Sequence, residues 1–201
     1  MIAHTATGGG LWSKTDLPAL SGKRIAAQGI AGDVLKALGA VISDIDTNAA
    51  GAAMASGKAD AIEVAHLIEA LETGVAGTAV AAIVPGLYRR GSTLAVSLKR
   101  ELWDSLDADA QALVSDVAAE YSRRLSSELR ANDRMLRKAL GETHGISFLA
   151  PSASLETEIA RVAEAVVADI AARDALSRRI NGAYMALHAP WSSNRPRHAM
   201  V

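Results

Sequence analysis

The chain has 201 residues, 21% of them charged, with a formal net charge of −1 at pH 7, which is typical of a globular protein with one domain or two small lobes. Its basic residues lie among acidic neighbours, so the sequence favours solvated helix faces and predicts no nucleic-acid partner. It has no cysteine, which excludes disulfides and thiolate chemistry, and its longest apolar run, residues 75–87, is too short to span a membrane.

The first sixteen residues predict little regular structure. Three consecutive glycines, Gly8, Gly9 and Gly10, precede a polar stretch, a pattern typical of a linker or a frayed end. The segment has neither the basic region nor the apolar region of a secretory signal, so no signal peptide is predicted in it. Residues 1–16 are therefore expected to be a flexible stub.

The next part of the chain alternates between short apolar runs and small-residue helical patterns. Strands are predicted at residues 23–27, 40–45 and 59–64. The helix between the first two strands should end at Gly39, and the next should follow a cap at Asp46. Strands joined by such helices form right-handed crossovers, so this stretch predicts a parallel βαβ core.

A short helix and two further strands are predicted after this core. The helix covers residues 66–72, and the strands at residues 75–84 and 93–98 flank a turn at residues 85–91.

The carboxyl-terminal part of the sequence predicts long helices. One is capped by Asp107 or Asp109 and runs to about residue 140, and the other covers residues 155–187. A short strand at residues 146–149 separates them. Residues 188–201 contain two prolines and no periodicity, so they are expected to form a disordered tail.

Four motifs occur in an order that resembles one protein family. They are LPALSGKRI at residues 17–25, DVLKALGA at 33–40, ASGKADAIE at 55–63 and LAVSLKRELWDSLDADAQALVSDVAAE at 94–120. Together they resemble the carboxyl-terminal half of the TRAP-transporter substrate-binding proteins, the DctP-like family. The similarity covers about residues 11–150.

This resemblance implies an α/β, periplasmic-binding-protein-like lobe over residues 17–187, with a parallel βαβ core and two long carboxyl-terminal helices. The family's amino-terminal lobe has no counterpart in the chain. The resemblance also implies a periplasmic protein that binds a small metabolite of the organic-acid class and delivers it to TRAP permease subunits. It implies no catalysis and no cofactor.

Two residues depart from the family pattern. Family members usually carry an arginine that pairs with the ligand's carboxylate, and Ala26 occupies its position here. Alanine offers none of the planar donors that make arginine suited to binding a carboxylate. Val64 stands where an asparagine is often found. The organic-acid class implied by the resemblance therefore lacks its usual binding group in this chain.

Three residues are candidates for ligand binding because the carboxyl ends of parallel strands face the ligand crevice in open α/β sheets. Gln28 follows the first predicted strand, and Glu63 and His66 lie at the end of the third. The five histidines lack metal-binding spacing, so no metal site is predicted. No spacing unites a nucleophile with a base, so no enzyme activity is predicted either.

A second interpretation stays open at this point. A truncated or degenerate lobe would use its exposed cleft face and long helices for homo-oligomerisation, as an interaction module without ligand transport. Ligand binding and the oligomeric state distinguish the two.

Overall fold

The computed structural model describes residues 2–5, 9–16, 19–84 and 92–192, so the predicted turn at residues 85–91 lies outside the described residues. The described strands are β1 (Ile2–Thr5), β2 (Gly10–Ser13), β3 (Arg24–Ala26), β4 (Val41–Ser43), β5 (Ala61–Val64), β6 (Ala81–Ile83), β7 (Ser92–Ala95) and β8 (Ser147–Leu149). The described α-helices are α1 (Gly29–Ala37), α2 (Ala50–Ala55), α3 (Leu67–Glu72), α4 (Arg100–Asp104), α5 (Ala108–His144), α6 (Ala153–Ala172) and α7 (Ala175–Ser192).

The main sheet has six strands in the order β4-β3-β5-β2-β6-β8. Strand β3 pairs in parallel with β4 and with β5, which confirms the predicted βαβ core, and β6 pairs in parallel with β8. Strand β2 is antiparallel to both of its neighbours, β5 and β6, so the sheet is mixed. Strands β1 and β7 form a separate antiparallel ribbon.

The predicted flexible stub at residues 1–16 is wrong for Gly10–Ser13. These four residues are all buried, and Trp12 is 0% exposed in the interior of the sheet. Gly10 is required for packing, because a Cβ there would lie 2.5 Å from the carbonyl oxygen of Ile83. A strand that is buried on both faces lacks the alternation that identifies half-buried strands, so its glycines suggest a linker instead.

The predicted long helix at residues 155–187 is wrong in its continuity. Helix α6 ends at Ala172 and α7 begins at Ala175. The carboxylate of Asp174 accepts hydrogen bonds from the backbone N–H of Ser177 at 2.8 Å and from its hydroxyl at 2.7 Å, which caps α7. Helix α7 then continues to Ser192, so the predicted disordered tail begins too early, and residues 193–201 lie outside the described residues.

The predicted strand at residues 75–84 is shorter in the structure. Val75–Gly77 forms a 3-10 turn, and only Ala81–Ile83 forms a strand. Val75 is 0% exposed, so burial rather than strand pairing explains the apolar character of the turn.

The core lies on both faces of the main sheet. One cluster contains Trp12, Met54 and Leu67, and the ring of Phe148 meets Trp12 edge-on with centroids 6.0 Å apart. A second cluster contains Ile25 and Leu35, and a third joins Val34 of α1 to Ile159 and Val162 of α6. None of the described helices combines the length and the apolar composition needed to cross a lipid bilayer.

Candidate functional site

A pocket of about 140 Å³ lies at the carboxyl ends of β3, β4 and β5. Residues 26–28 line it from β3 and residues 62–65 from β5. Ile45, Thr47 and Ala50, which follow β4, form another wall. The two crossovers β3-α1-β4 and β4-α2-β5 create this pocket, because parallel strands end at the same edge of the sheet.

The pocket includes two of the three residues that the sequence nominates. Gln28 is the exposed residue that precedes α1, and Glu63 is a half-buried residue of β5. The structure therefore brings Gln28 and Glu63 together at one edge of the sheet.

His66 is not among the residues that line the pocket. It precedes α3, and its Nδ1 is buried without a hydrogen-bond partner among the described residues. Its imidazole lies near Asp133 of α5, where burial raises the pKa of the Asp133 carboxyl against the smaller opposing effects of His66 and Arg137. His66 therefore faces the long helix α5.

Helix α3 and the residue that follows it contribute two pocket residues that the sequence analysis missed, Glu69 and Thr73. Oε2 of Glu69 accepts hydrogen bonds from the backbone N–H of Ala65 at 2.7 Å and of His66 at 3.4 Å, which caps the amino end of α3. The hydroxyl of Thr73 donates to the carbonyl oxygen of Glu69 at 2.7 Å. Glu69 lies three residues after His66, which is the spacing of the glutamate in a capping box, but histidine is not one of the residue types that usually begin such a box, so the sequence gives only half of the signal.

An ion pair joins β3 to β5 at the amino ends of these strands, which are the ends away from the pocket. The guanidinium of Arg24 donates to the carboxylate of Asp60 at 2.7 and 3.1 Å, and the backbone N–H of Arg24 donates to it at 2.8 Å. These hydrogen bonds lower the pKa of Asp60 to about 2. Asp60 precedes β5, so it lies away from the pocket and stabilises the strand pairing.

A larger groove of about 770 Å³ lies between residues 96–103 and the first part of α5. Val96, Leu98, Trp103 and Val114 provide most of its apolar lining. Val96 is 60% exposed, and neighbouring apolar residues of α4 and α5 are similarly open to solvent. Contiguous exposed apolar surface of this kind is typical of an interaction surface rather than of a polar-ligand site.

Comparison with protein-family models matches residues 20–174 to the bacterial extracellular solute-binding proteins, family 7. No curated protein matches the chain.

Solved structures with a similar fold are TRAP periplasmic solute-binding proteins. One from Colwellia psychrerythraea, with bound calcium and pyruvate, matches 94% of this chain and 60% of its own, with 20% identity and a TM-score of 0.76. One from Chromohalobacter salexigens, with bound (S)-(+)-2-amino-1-propanol, matches 100% and 63%, with 15% identity and a TM-score of 0.76. The apo open structure of one from Rhodobacter sphaeroides matches 95% and 61%, with 16% identity and a TM-score of 0.75. The chain thus spans about three-fifths of the length of these proteins.

Proposed function

The chain belongs to the bacterial extracellular solute-binding proteins of family 7, and we propose that it binds a small metabolite in the pocket at the carboxyl ends of β3, β4 and β5. The observation that carries the proposal is the position of this pocket. In open α/β sheets, ligands bind outside the carboxyl ends of the strands. The pocket also combines apolar walls with a few polar side chains, which is usual for small-molecule sites.

The proposed role is transport in the periplasm without chemistry, with delivery of the solute to a TRAP permease. A second lobe would complete the cleft, since the chain spans about three-fifths of the length of its solved neighbours. The apolar groove beside α5 supports this proposal, because contiguous exposed apolar surface is typical of a surface that contacts another part of a protein. Closure of two lobes around the ligand would then expose a different surface to the permease.

The neighbours' ligands leave the solute class of this chain open. The Colwellia protein holds pyruvate, a carboxylate, whereas the Chromohalobacter protein holds an amino alcohol. The organic-acid class that the sequence implies is one of these two possibilities.

A thermal-shift screen of organic acids, amino alcohols, sugars and amino acids tests the proposal. A ligand at one hundred times its dissociation constant should stabilise the protein by about 2.7 kcal/mol. Ala65→Leu places a larger side chain in the pocket wall and should abolish the shift, whereas Ala52→Leu, at an exposed position of α2, should preserve it. Stabilisation that survives Ala65→Leu, or no stabilisation by any solute, would contradict binding in this pocket.

Homo-oligomerisation is the second candidate function. Helix α7 leaves Leu176 60% and Ile180 62% exposed, four residues apart on one face. Light scattering that shows a discrete oligomer, together with no response to any solute, would favour this interaction role over transport.

A further inference from the structure

We propose that helix α7 lies on the surface of an anionic lipid bilayer and turns a stripe of aliphatic side chains towards the lipid. The helix contributes no residue to the pocket lining, so this proposal goes beyond the solute-binding role. Two observations carry it. They are the exposure of the stripe and a concentration of arginine in the same part of the chain.

The apolar stripe of α7 consists of Leu176, Ile180 and Leu187, which are 60%, 62% and 75% exposed. Because successive residues of an α-helix are about 100° apart around its axis, these three side chains fall within an arc of about 40°. A narrow aliphatic face on an exposed helix is typical of a helix that binds a partner or lies at a lipid interface.

Helix α7 is held by little of the rest of the protein. From residue 175 to residue 187, every residue is exposed except Ser177 and Asn181, which are half-buried. These two residues lie about 100° around the helix from the apolar stripe, so the packing of α7 against α6 leaves the stripe open. Helices of this length are marginal in water without a packed apolar face, so a surface that covered the stripe would stabilise α7.

Positive charge is concentrated at the same end of the sequence. Residues 175–201 contain four arginines and no aspartate or glutamate, although the whole chain has a net charge of −1, so the remaining residues are net acidic. Arg178 and Arg179 belong to α7, and both are exposed. An anionic bilayer would attract this end and repel the rest of the chain, which orients the protein with α7 towards the lipid.

The charges favour a lipid surface over a second copy of the chain. A twofold interface brings the same surface of two copies together. Two α7 helices paired in this way would bring their arginines close to each other, and α7 has no acidic residue to balance them. An anionic bilayer supplies hydrocarbon for the apolar stripe and negative charge for Arg178 and Arg179 together, as it does for interfacial amphipathic helices.

Co-sedimentation with lipid vesicles tests the proposal on the whole 201-residue chain. We expect at least about tenfold tighter binding to phosphatidylcholine vesicles that contain about 30% phosphatidylglycerol than to vesicles of phosphatidylcholine alone. This difference should disappear as the salt concentration rises to about 1 M. Hydrogen exchange of the α7 amides should slow on the anionic vesicles, because the lipid would stabilise this helix.

Leu176→Glu and Leu113→Glu form a matched pair that tests the apolar stripe. The two leucines are 60% and 63% exposed on helices, and each variant changes the net charge equally. Leu176→Glu should weaken binding to the anionic vesicles by at least about tenfold, and Leu113→Glu should leave it within about twofold. A glutamate in the first turn of α7 suits the helix dipole, so circular dichroism should show unchanged helix content.

A second matched pair tests the charge. Arg178→Gln combined with Arg179→Gln should weaken binding to the anionic vesicles by about tenfold and leave binding to the neutral vesicles unchanged. Arg123→Gln combined with Arg124→Gln removes two adjacent exposed arginines from α5 and should leave both unchanged.

The outcomes decide between the lipid surface and its alternatives. Equal binding to neutral and anionic vesicles, no binding to either, or equal effects of the two members of either pair would overturn the proposal. A discrete oligomer that Leu176→Glu dissociates, without vesicle binding, would assign the apolar stripe to a second copy instead. Each of these failures leaves the solute-binding role intact, because α7 contributes no residue to the pocket lining.

Discussion

Replacement of Trp12 by alanine should be among the most destabilising single changes in this chain. Trp12 is 0% exposed on β2, between β5 and β6, and its ring packs edge-on against Phe148. Truncation of a buried tryptophan to alanine costs about 3–5 kcal/mol, and loss of the aromatic pair adds about 1 kcal/mol. Since domains are typically stable by about 5–15 kcal/mol, Trp12→Ala should remove a large fraction of the total.

Urea denaturation followed by far-ultraviolet circular dichroism measures this loss as a change in the free energy of unfolding. Trp103→Ala is the matched control, because Trp103 is partly exposed beside the apolar groove and its truncation should cost about 1 kcal/mol. A loss below about 1 kcal/mol for Trp12→Ala would refute the central position of β2. It would instead support the flexible stub that the sequence predicts at residues 1–16.

Three further changes have expected outcomes. The lowered pKa of Asp60, about 2 in the folded chain, means that its pairing with Arg24 contributes fully above about pH 4 and is lost as the pH falls towards 2. Allowing for solvent screening, Asp60→Asn should cost about 1 kcal/mol at pH 7 in urea denaturation, and a difference that persists at pH 2 would contradict this cause. Gly51→Ala should lower the melting temperature despite its gain in helix propensity, because the new Cβ would overlap a backbone carbonyl oxygen at the end of α3. Gly77→Ala, where a Cβ would meet nothing within 4 Å, should be close to neutral, and equal effects would refute the overlap. Ala26→Arg should fold, since Ala26 lines the pocket, and should tighten the binding of small carboxylates such as lactate in calorimetry. Gross unfolding would show that the position does not open into the pocket.

The part of the fold that is predictable from the sequence is the part bounded by glycines at helix ends and by capping side chains. Gly39 and Gly57 have φ of +88° and +74°, and Asp46 accepts a hydrogen bond from the N–H of Asn48, as their positions in the sequence suggest. These signals place β3, α1, β4 and β5 within about two residues of their observed bounds. The order of the remaining strands depends on long-range pairing, such as Trp12 with Ile62, which no local pattern reveals.

The helix break at Asp174 was not predicted from the sequence, because no glycine or proline marks it. Neither glycine nor proline occurs between α6 and α7, so periodicity alone favours one continuous helix. Asp174 ends that continuity through its own side chain, which binds the backbone and the hydroxyl of Ser177.

The candidate site was predictable in its location but only partly in its residues. The rule that ligands bind at the carboxyl ends of parallel strands correctly grouped Gln28 with Glu63 at one edge. The same rule suggested His66, but His66 is the residue that precedes α3, and its side chain faces α5 and not the pocket. Glu69 was missed because its capping role is a structural reason for a glutamate, and only the folded structure shows that the residue also lines a pocket.

The ion pair that holds β3 and β5 together lies apart from the residues that line the pocket. Arg24 and Asp60 pair at the edge where β3 and β5 begin, whereas Ala26 and Glu63 lie where the same strands end. Arg24 and Ala26 are two residues apart on β3, so their side chains lie on the same face of the sheet. They lie at opposite ends of the strand, Arg24 at its amino end and Ala26 at its carboxyl end. A change of charge at Ala26 therefore acts on the pocket without removing the ion pair that joins β3 to β5. This arrangement would allow the solute class to change by substitution at the carboxyl edge while the parallel core keeps its register.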